Sequence, residues 1–189
     1  KAFFQTLSHS RTLKTLASRY GMSGPRAFAR RFIAGETVGD AIAAVRAIEA
    51  QGLHHTLDHL GESVASLAGA ESATRDYLRL LEEVERAGVE RNLSLKLTQL
   101  GLDVDRAICV DNLRKILSAA ERRSCFVRID MEGSHYTDAT LDIFETMWTQ
   151  GYRYVGITIH SHLRRSAADM ASLNQRGARV RLVKGGFAE

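Results

Sequence analysis

From residue 37 onward the hydrophobic positions switch repeatedly between a spacing of three to four and a spacing of two. Val38, Ile42, Val45 and Ile48 share one helical face, Thr37 and Asp40 form a capping pair ahead of them, and Gly52 sits where such a helix stops. The spacing then predicts a strand over 53–59, a helix running through Tyr77, Leu81 and Val84 to Gly88, and a strand over 93–98. A helix over 104–120, a strand over 126–131, a helix over 141–148 and a strand over 154–160 follow. A helix over 166–175, opened by Ser166 and Asp169 and closed near Gly177, leads to a fifth strand over 178–184. Pro25, the single proline, precedes all of this.

Strands separated by helices at intervals of roughly 25 to 40 residues argue for βα units and a parallel sheet. Buried strands of an open doubly wound sheet read apolar on both faces. These alternate instead. Leu53, Leu57, Leu93, Leu95, Leu97, Val127, Ile129, Val155, Ile157, Ile159, Val180 and Leu182 make one face, suited to a layer of helices. Thr56, Asp58, Ser94, Lys96, Arg128, Asp130, Thr158, His160, Arg179 and Arg181 make the other. A polar face needs an interior with partners or a ligand, which favours a (βα)8 barrel. Lys96, Asp130 and Arg181 fall near the C-terminal ends of their strands, where barrels gather catalytic groups. A purely structural ion-pair network is the competing account, and it is the weaker one because buried ion pairs stabilise poorly unless fully satisfied.

Composition changes this picture only in part. The 189 residues, 44% hydrophobic and 25% charged, are ordinary for a folded domain. The net charge of +4 comes from residues 1–35, which hold seven Lys or Arg and no Asp or Glu, while the remainder is net acidic. Basicity confined to one arm argues against a nucleic-acid partner. An Arg-rich amphipathic stretch fits a transit peptide or contact with anionic lipid; a helical arm packed on the domain with solvated charges is the preferred reading. No apolar run is long enough to span a bilayer. Cys109 and Cys125 lack CxxC spacing, so neither a disulfide framework nor a structural zinc site is supported, and Cys125 opens a buried strand where an inert thiol is the default. His160 and His162 resemble the HxH of metal-dependent barrel hydrolases, but no HxxxD or HExxH context supplies a third ligand. No dinucleotide fingerprint or P-loop occurs. Gly185-Gly186 after the fifth strand lets backbone NH groups approach a phosphate or a flat ring.

Five segments carry a family resemblance: Arg31-Phe-Ile-Ala-Gly-Glu-Thr37, Leu57-Asp-His-Leu-Gly-Glu-Ser63, Leu95-Lys-Leu-Thr-Gln-Leu-Gly101, Val127-Arg-Ile-Asp-Met-Glu132 and Val180-Arg-Leu-Val-Lys-Gly-Gly186. In that order they resemble proline dehydrogenase, the flavoenzyme of proline catabolism, from about residue 28 onward. The resemblance implies an α/β fold, a distorted (βα)8 TIM-type barrel. About five of its strands lie here within 37–189, and a basic helical arm, 1–36, precedes them. It implies FAD as cofactor, L-proline as substrate, hydride transfer from proline C5 to flavin N5 giving pyrroline-5-carboxylate, and a quinone as electron acceptor. Lys96 is expected beside the substrate carboxylate, with Asp130 and Arg181 as catalytic residues. Met131, His160, Lys184, Gly185 and Gly186 are expected to hold the flavin. A cytoplasmic location follows, peripheral at the inner membrane, or mitochondrial in a eukaryote.

Three departures from the family pattern stand out. His160-Ser161-His162-Leu163 replaces the usual Gln-Ala-Tyr-Leu, exchanging an amide for an imidazole that still donates one hydrogen bond. Lys184-Gly185-Gly186-Phe187 replaces Lys-Gly-Ala-Tyr, losing a phenol at the substrate pocket. Five strands fall short of a whole barrel, so the chain is read as part of a longer enzyme and is expected to be inactive alone. The alternatives are a metal-dependent barrel hydrolase using His160 and His162, and a degenerate, non-catalytic homologue.

Overall fold

The computed structural model describes residues 33–185, so most of the basic arm, and Gly186 with the residues after it, lie outside the described residues. The chain divides into two units, residues 1–51 and 52–189. In the first, helix α1 spans Val38–Glu49 behind the expected capping box: the Thr37 hydroxyl accepts from the Asp40 amide, and the Asp40 carboxylate accepts from the Thr37 amide at 3.1 Å. Two donors that a helix start leaves without partners are thereby satisfied.

The second unit repeats strand and helix: β1 Leu57–Asp58, α2 Leu67–Ala87, β2 Asn92–Leu95, α3 Arg106–Arg122, β3 Phe126–Ile129, a short 3-10 turn Ser134–Tyr136, α4 Thr137–Thr149, β4 Val155–His160, α5 Ser166–Gln175 and β5 Arg179–Val183. All neighbouring strands are parallel, in the order β1-β2-β3-β4-β5. A doubly wound sheet reverses its strand order at a switch point. This one does not, and a sequential parallel sheet is the arc of a barrel.

Leu93, Leu95, Val127, Ile129, Val155, Ile157 and Ile159 are buried, as expected of the helix-covered face. Helices α3, α4 and α5 lie against β3, β4 and β5, and α2 packs on α3. Tyr77, Leu81 and Val84 of α2 and Leu113, Ile116 and Leu117 of α3 fill that layer. The apolar face thins toward β5, where Leu182 is 55% exposed.

Element ends differ from the sequence reading. The first strand keeps only two of its seven expected residues, because the Asn92 amide donates to the His55 carbonyl at 3.0 Å and a side chain takes over from the backbone ladder. Ser166 does not cap α5. The residue before it, Arg165, is already helical, and the Ser166 hydroxyl donates instead to the His160 carbonyl at 2.5 Å. Helix α3 begins two residues later than its apolar pattern, at a cap supplied by Asp105. Helix α4 begins earlier than its pattern, straight out of the 3-10 turn.

Gly156, inside β4, lies where strands and interior side chains approach closely. A Cβ there would lie 2.5 Å from the Phe126 ring and 2.6 Å from the Arg179 carbonyl oxygen. Gly156→Ala is expected to lower stability by about 2 kcal/mol, in the range for forced overpacking, read as a lower urea midpoint. Adding Phe126→Leu relieves the ring overlap but not the backbone one, so rescue is expected to be partial. An unchanged midpoint in Gly156→Ala would contradict this tight register.

Candidate active site

Strand pairing brings the polar positions into rows. Leu95 pairs with Ile129, Ile129 with Ile157, and Thr158 with Arg181, so Lys96 and Asp130, just past the ends of β2 and β3, fall side by side with Thr158 and Arg181 inside β4 and β5. Alternation turns them away from the helices.

Within this row two groups form. The Arg181 guanidinium is in contact with the Asp130 carboxylate, and its Nε donates to the Thr158 hydroxyl at 3.3 Å. Thr158 in turn donates to Asp130 Oδ1 at 2.9 Å. Asp130 is 16% exposed and Arg181 35%, so the pair is shielded but reachable. Lys96 does not make its ion pair with Asp130: Nζ lies 3.4 Å from Asp58 Oδ2 on β1, the two side chains 20% and 29% exposed. Asp58 was legible as a polar-face residue, but its partnership with Lys96 was not.

Arg128 sits one inward position below Asp130 in β3. Burial, then the neighbouring Arg181 charge, pull its pKa below the ordinary guanidinium value, and Asp130 opposes this. Its guanidinium lies 5.1 Å from the Phe126 ring centre, with that of Arg179 5.0 Å from the same ring. Together with Arg91 these residues line a hollow of about 450 Å³ at the N-terminal ends of the strands, the end opposite the Lys96 to Arg181 row.

Around the row lies a set of buried groups that strand periodicity does not reach. The Tyr77 hydroxyl on α2 donates to Gln99 Oε1 at 3.1 Å, and the ring meets His59 edge-on with centres 5.6 Å apart. Burial first, then the Asp58 and Asp130 charges, hold its phenol well above the usual range. The Gln99 amide donates to the His59 carbonyl at 3.2 Å, and a Cβ on Gly61 would lie 2.6 Å from that amide, so a side chain there would displace it. Glu132, two residues beyond Asp130, is buried and accepts from the Thr98 amide at 3.2 Å and the Thr98 hydroxyl at 2.6 Å. Thr98 Oγ1 also accepts from the Ser63 amide at 3.0 Å, and its carbonyl accepts from Val64. One carboxylate thus ties together the chain leaving β1, β2 and β3.

The residues expected to hold a cofactor are placed unevenly. Met131 and His160 are buried, Lys184 is exposed, and Gly185 has φ +88°; Gly186 lies outside the described residues. His160 and His162 stack with ring centres 5.7 Å apart. Among the described residues no third His, Cys, Asp or Glu ligand atom gathers with them, so the geometry adds nothing to the metal reading. Both thiols are buried and pushed up to about 12, mainly by burial, as suits inert core cysteines.

Glu132 provides a test of this arrangement. Burial raises its carboxyl pKa, while the Thr98 hydrogen bonds and Lys96 oppose the rise. Between the unfolded value of about 4.3 and the raised folded value, the folded protein holds the extra proton. Stability linked to neutral Glu132 is therefore complete below the unfolded pKa and lost as pH rises through the folded one. Relative to Glu132→Gln, whose amide does not titrate, the wild-type protein is expected to gain stability as pH is lowered through that window. A difference in urea midpoints that stays flat or moves the other way would show that Glu132 is not held in a desolvated site.

The family model described as proline dehydrogenase matches residues 41–189. Proline dehydrogenase 1 of Bacillus subtilis strain 168 is 34% identical over 186 residues, covering 98% of this chain and 60% of that protein. Proline dehydrogenase of Deinococcus radiodurans is 36% identical over 165 residues, covering 85% of this chain and 53% of that protein. The chain thus spans three fifths or less of the length of these relatives. The crystal structure of proline utilization A from Bdellovibrio bacteriovorus inactivated by N-propargylglycine superposes with a TM-score of 0.75 at 27% identity, covering 83% of this chain and 20% of that one.

Proposed function

The chain belongs to the proline dehydrogenase family, and from that premise we propose that the protein oxidises L-proline to pyrroline-5-carboxylate with FAD, at the strand-end row of Lys96, Asp130, Thr158 and Arg181. The observation that carries this reading is the row itself: two cations and their carboxylate partners on adjacent parallel strands, at the end where barrels place their chemistry.

The group fits the residues present. Gly185 at positive φ turns the backbone tightly after β5, and Arg181 and Lys96 bring positive charge to a face that an electron-accepting ring requires. Met131, His160 and the Lys184 to Gly186 turn form its cradle in this reading. Bound there, FAD would supply at N5 an acceptor for the hydride that would leave proline C5 as the ring nitrogen's lone pair formed the new C=N bond.

Lys96 receives the substrate carboxylate. Its tether to Asp58 at 3.4 Å is long for a charged hydrogen bond, so the ammonium is held near the mouth while keeping donors for a ligand. Asp130 and Arg181 act as one unit. The carboxylate, engaged by Thr158 and Arg181 together, fixes the guanidinium plane, and the guanidinium offers its remaining donors to the mouth. Electrons pass onward to a quinone. The basic stretch 1–35 suits an anionic membrane surface on the cytoplasmic side, and among the described residues no helix is long and apolar enough to cross a membrane.

The complete purified protein is expected to show the visible bands of a flavin and to release the colour on acid precipitation, as noncovalent binding requires; colour retained in the pellet counts against noncovalent binding. Removing the partner of a desolvated carboxylate costs about 2 to 5 kcal/mol. In the complete enzyme Lys96→Met is therefore expected to lose at least about 30-fold in kcat/KM for proline while keeping its fold. Asp58→Asn, which removes only the tether, is expected to lose less. Near wild-type efficiency in Lys96→Met would exclude this lysine from the substrate site.

A further inference from the structure

Where β4 and β5 end, the chain is held by a side chain in place of a ladder rung. The Ser161 amide donates to the Val183 carbonyl at 2.7 Å, extending the backbone pairing by one step past His160. The next carbonyl on the β5 side, that of Lys184, meets the His162 ring: Nδ1 lies 3.1 Å from it. A carbonyl oxygen only accepts, so Nδ1 carries the proton in this contact. The ring is kept in place on its other side by stacking on buried His160, whose own carbonyl is held by Ser166.

Gly185 follows immediately, at φ +88°. A Cβ at this position would overlap the His162 imidazole and lie 3.2 Å from the His160 Cβ. The ring of exposed His162 therefore occupies the space that a side chain at 185 would enter and would have to move aside for it, while the positive φ favours glycine there.

We propose that His162 is a positioning residue that latches the Lys184-Gly185 turn through the Lys184 carbonyl and thereby orients this turn for the flavin. The inference rests on the proposed function, and it goes further in assigning to an imidazole beyond the end of β4 the control of the turn beyond β5. The family pattern, with tyrosine at position 162, does not provide an Nδ1 donor, so the latch belongs to this chain's His-Ser-His segment, acting across a glycine at 185 that the family pattern shares.

Titration of flavin-stripped protein with FAD tests the latch. His162→Phe keeps a ring to stack on His160 but removes the donor, and is expected to raise the FAD dissociation constant about fivefold, the net worth of one hydrogen bond. His162→Gln restores an N–H donor and is expected to recover most of that loss. Gly185→Ala is expected to weaken FAD binding more than tenfold when His162 is present. In the His162→Ala background the same change is expected to cost markedly less, because only the positive-φ penalty remains. Wild-type affinity in His162→Phe, or an equal Gly185→Ala effect in both backgrounds, overturns the latch. The ring nitrogens of His162, followed by NMR without FAD, report the structural half separately. A protonated Nδ1 in slow exchange supports it, and an Nε2–H tautomer overturns it. Wild-type protein that shows the protonated Nδ1 yet binds no FAD overturns the flavin reading and this inference with it, an outcome distinct from failure of the variants alone.

Discussion

The Asp130 carboxylate faces Arg181 directly and Arg128 from one inward position below, and the polar interior of the sheet depends on that one negative charge. The like-charged guanidiniums of β3 and β5, with only β4 between them, repel, and burial strengthens the repulsion by lowering the local dielectric. The downward pull on Arg128 from Arg181 and Arg179, opposed by Asp130, records the balance. Thr158 adds a neutral donor that holds the carboxylate in the plane facing Arg181. Breaking a fully buried pair typically costs about 3–5 kcal/mol, and this half-shielded pair costs less because solvent reaches the guanidinium. The same carboxylate that keeps the cations compatible with folding also aims them.

This constraint explains why the strands alternate. A sheet covered by helices on one side has to place apolar residues there, and the period of two sends the others inward. That logic was readable without coordinates: Lys96, Asp130 and Arg181 emerged as one group from alternation and strand-end position alone, and the sequential strand order agrees. The two-residue β1 was not readable, because apolar spacing over 53–59 says nothing about Asn92 reaching across to the His55 carbonyl. Ser166 misled for a related reason. A serine at a helix start reads as a cap, yet its hydroxyl is drawn to the His160 carbonyl exposed where β4 stops.

Partnerships were less legible than positions. Periodicity assigns a face but not a neighbour, so Asp58 was placed on the polar side without its tie to Lys96. Glu132, Thr98 and Gln99 lie beyond the strand ends, where the period of two has stopped and burial comes from loops folding over one another. Tyr77 reads as helix core, as most of its surface is; only its hydroxyl, reaching Gln99, reveals a second role. Side chains of this kind carry no signal at fixed spacing. What betrays them is a polar group buried with its hydrogen bonds satisfied, and that requires coordinates.

The strand ends are also where this chain departs from its family. Within a strand, each side chain is bounded by two neighbouring strands and a helix layer, and a change in size disturbs several contacts at once, as the room around Gly156 shows. Past the last ladder rung the backbone has unpaired carbonyls that different side chains can satisfy, so an amide, a phenol or an imidazole can serve if it reaches the right atom. His162 reaches Lys184, and Gly185 leaves it the space. Glycine at 185 is common to the family pattern, and the exchange at 162 places an imidazole in the space that this glycine leaves. Substitutions at such paired positions alter the mouth of a barrel while the sheet beneath it stays the same, because the hydrogen bond that holds the turn lies outside the ladder that holds the strands.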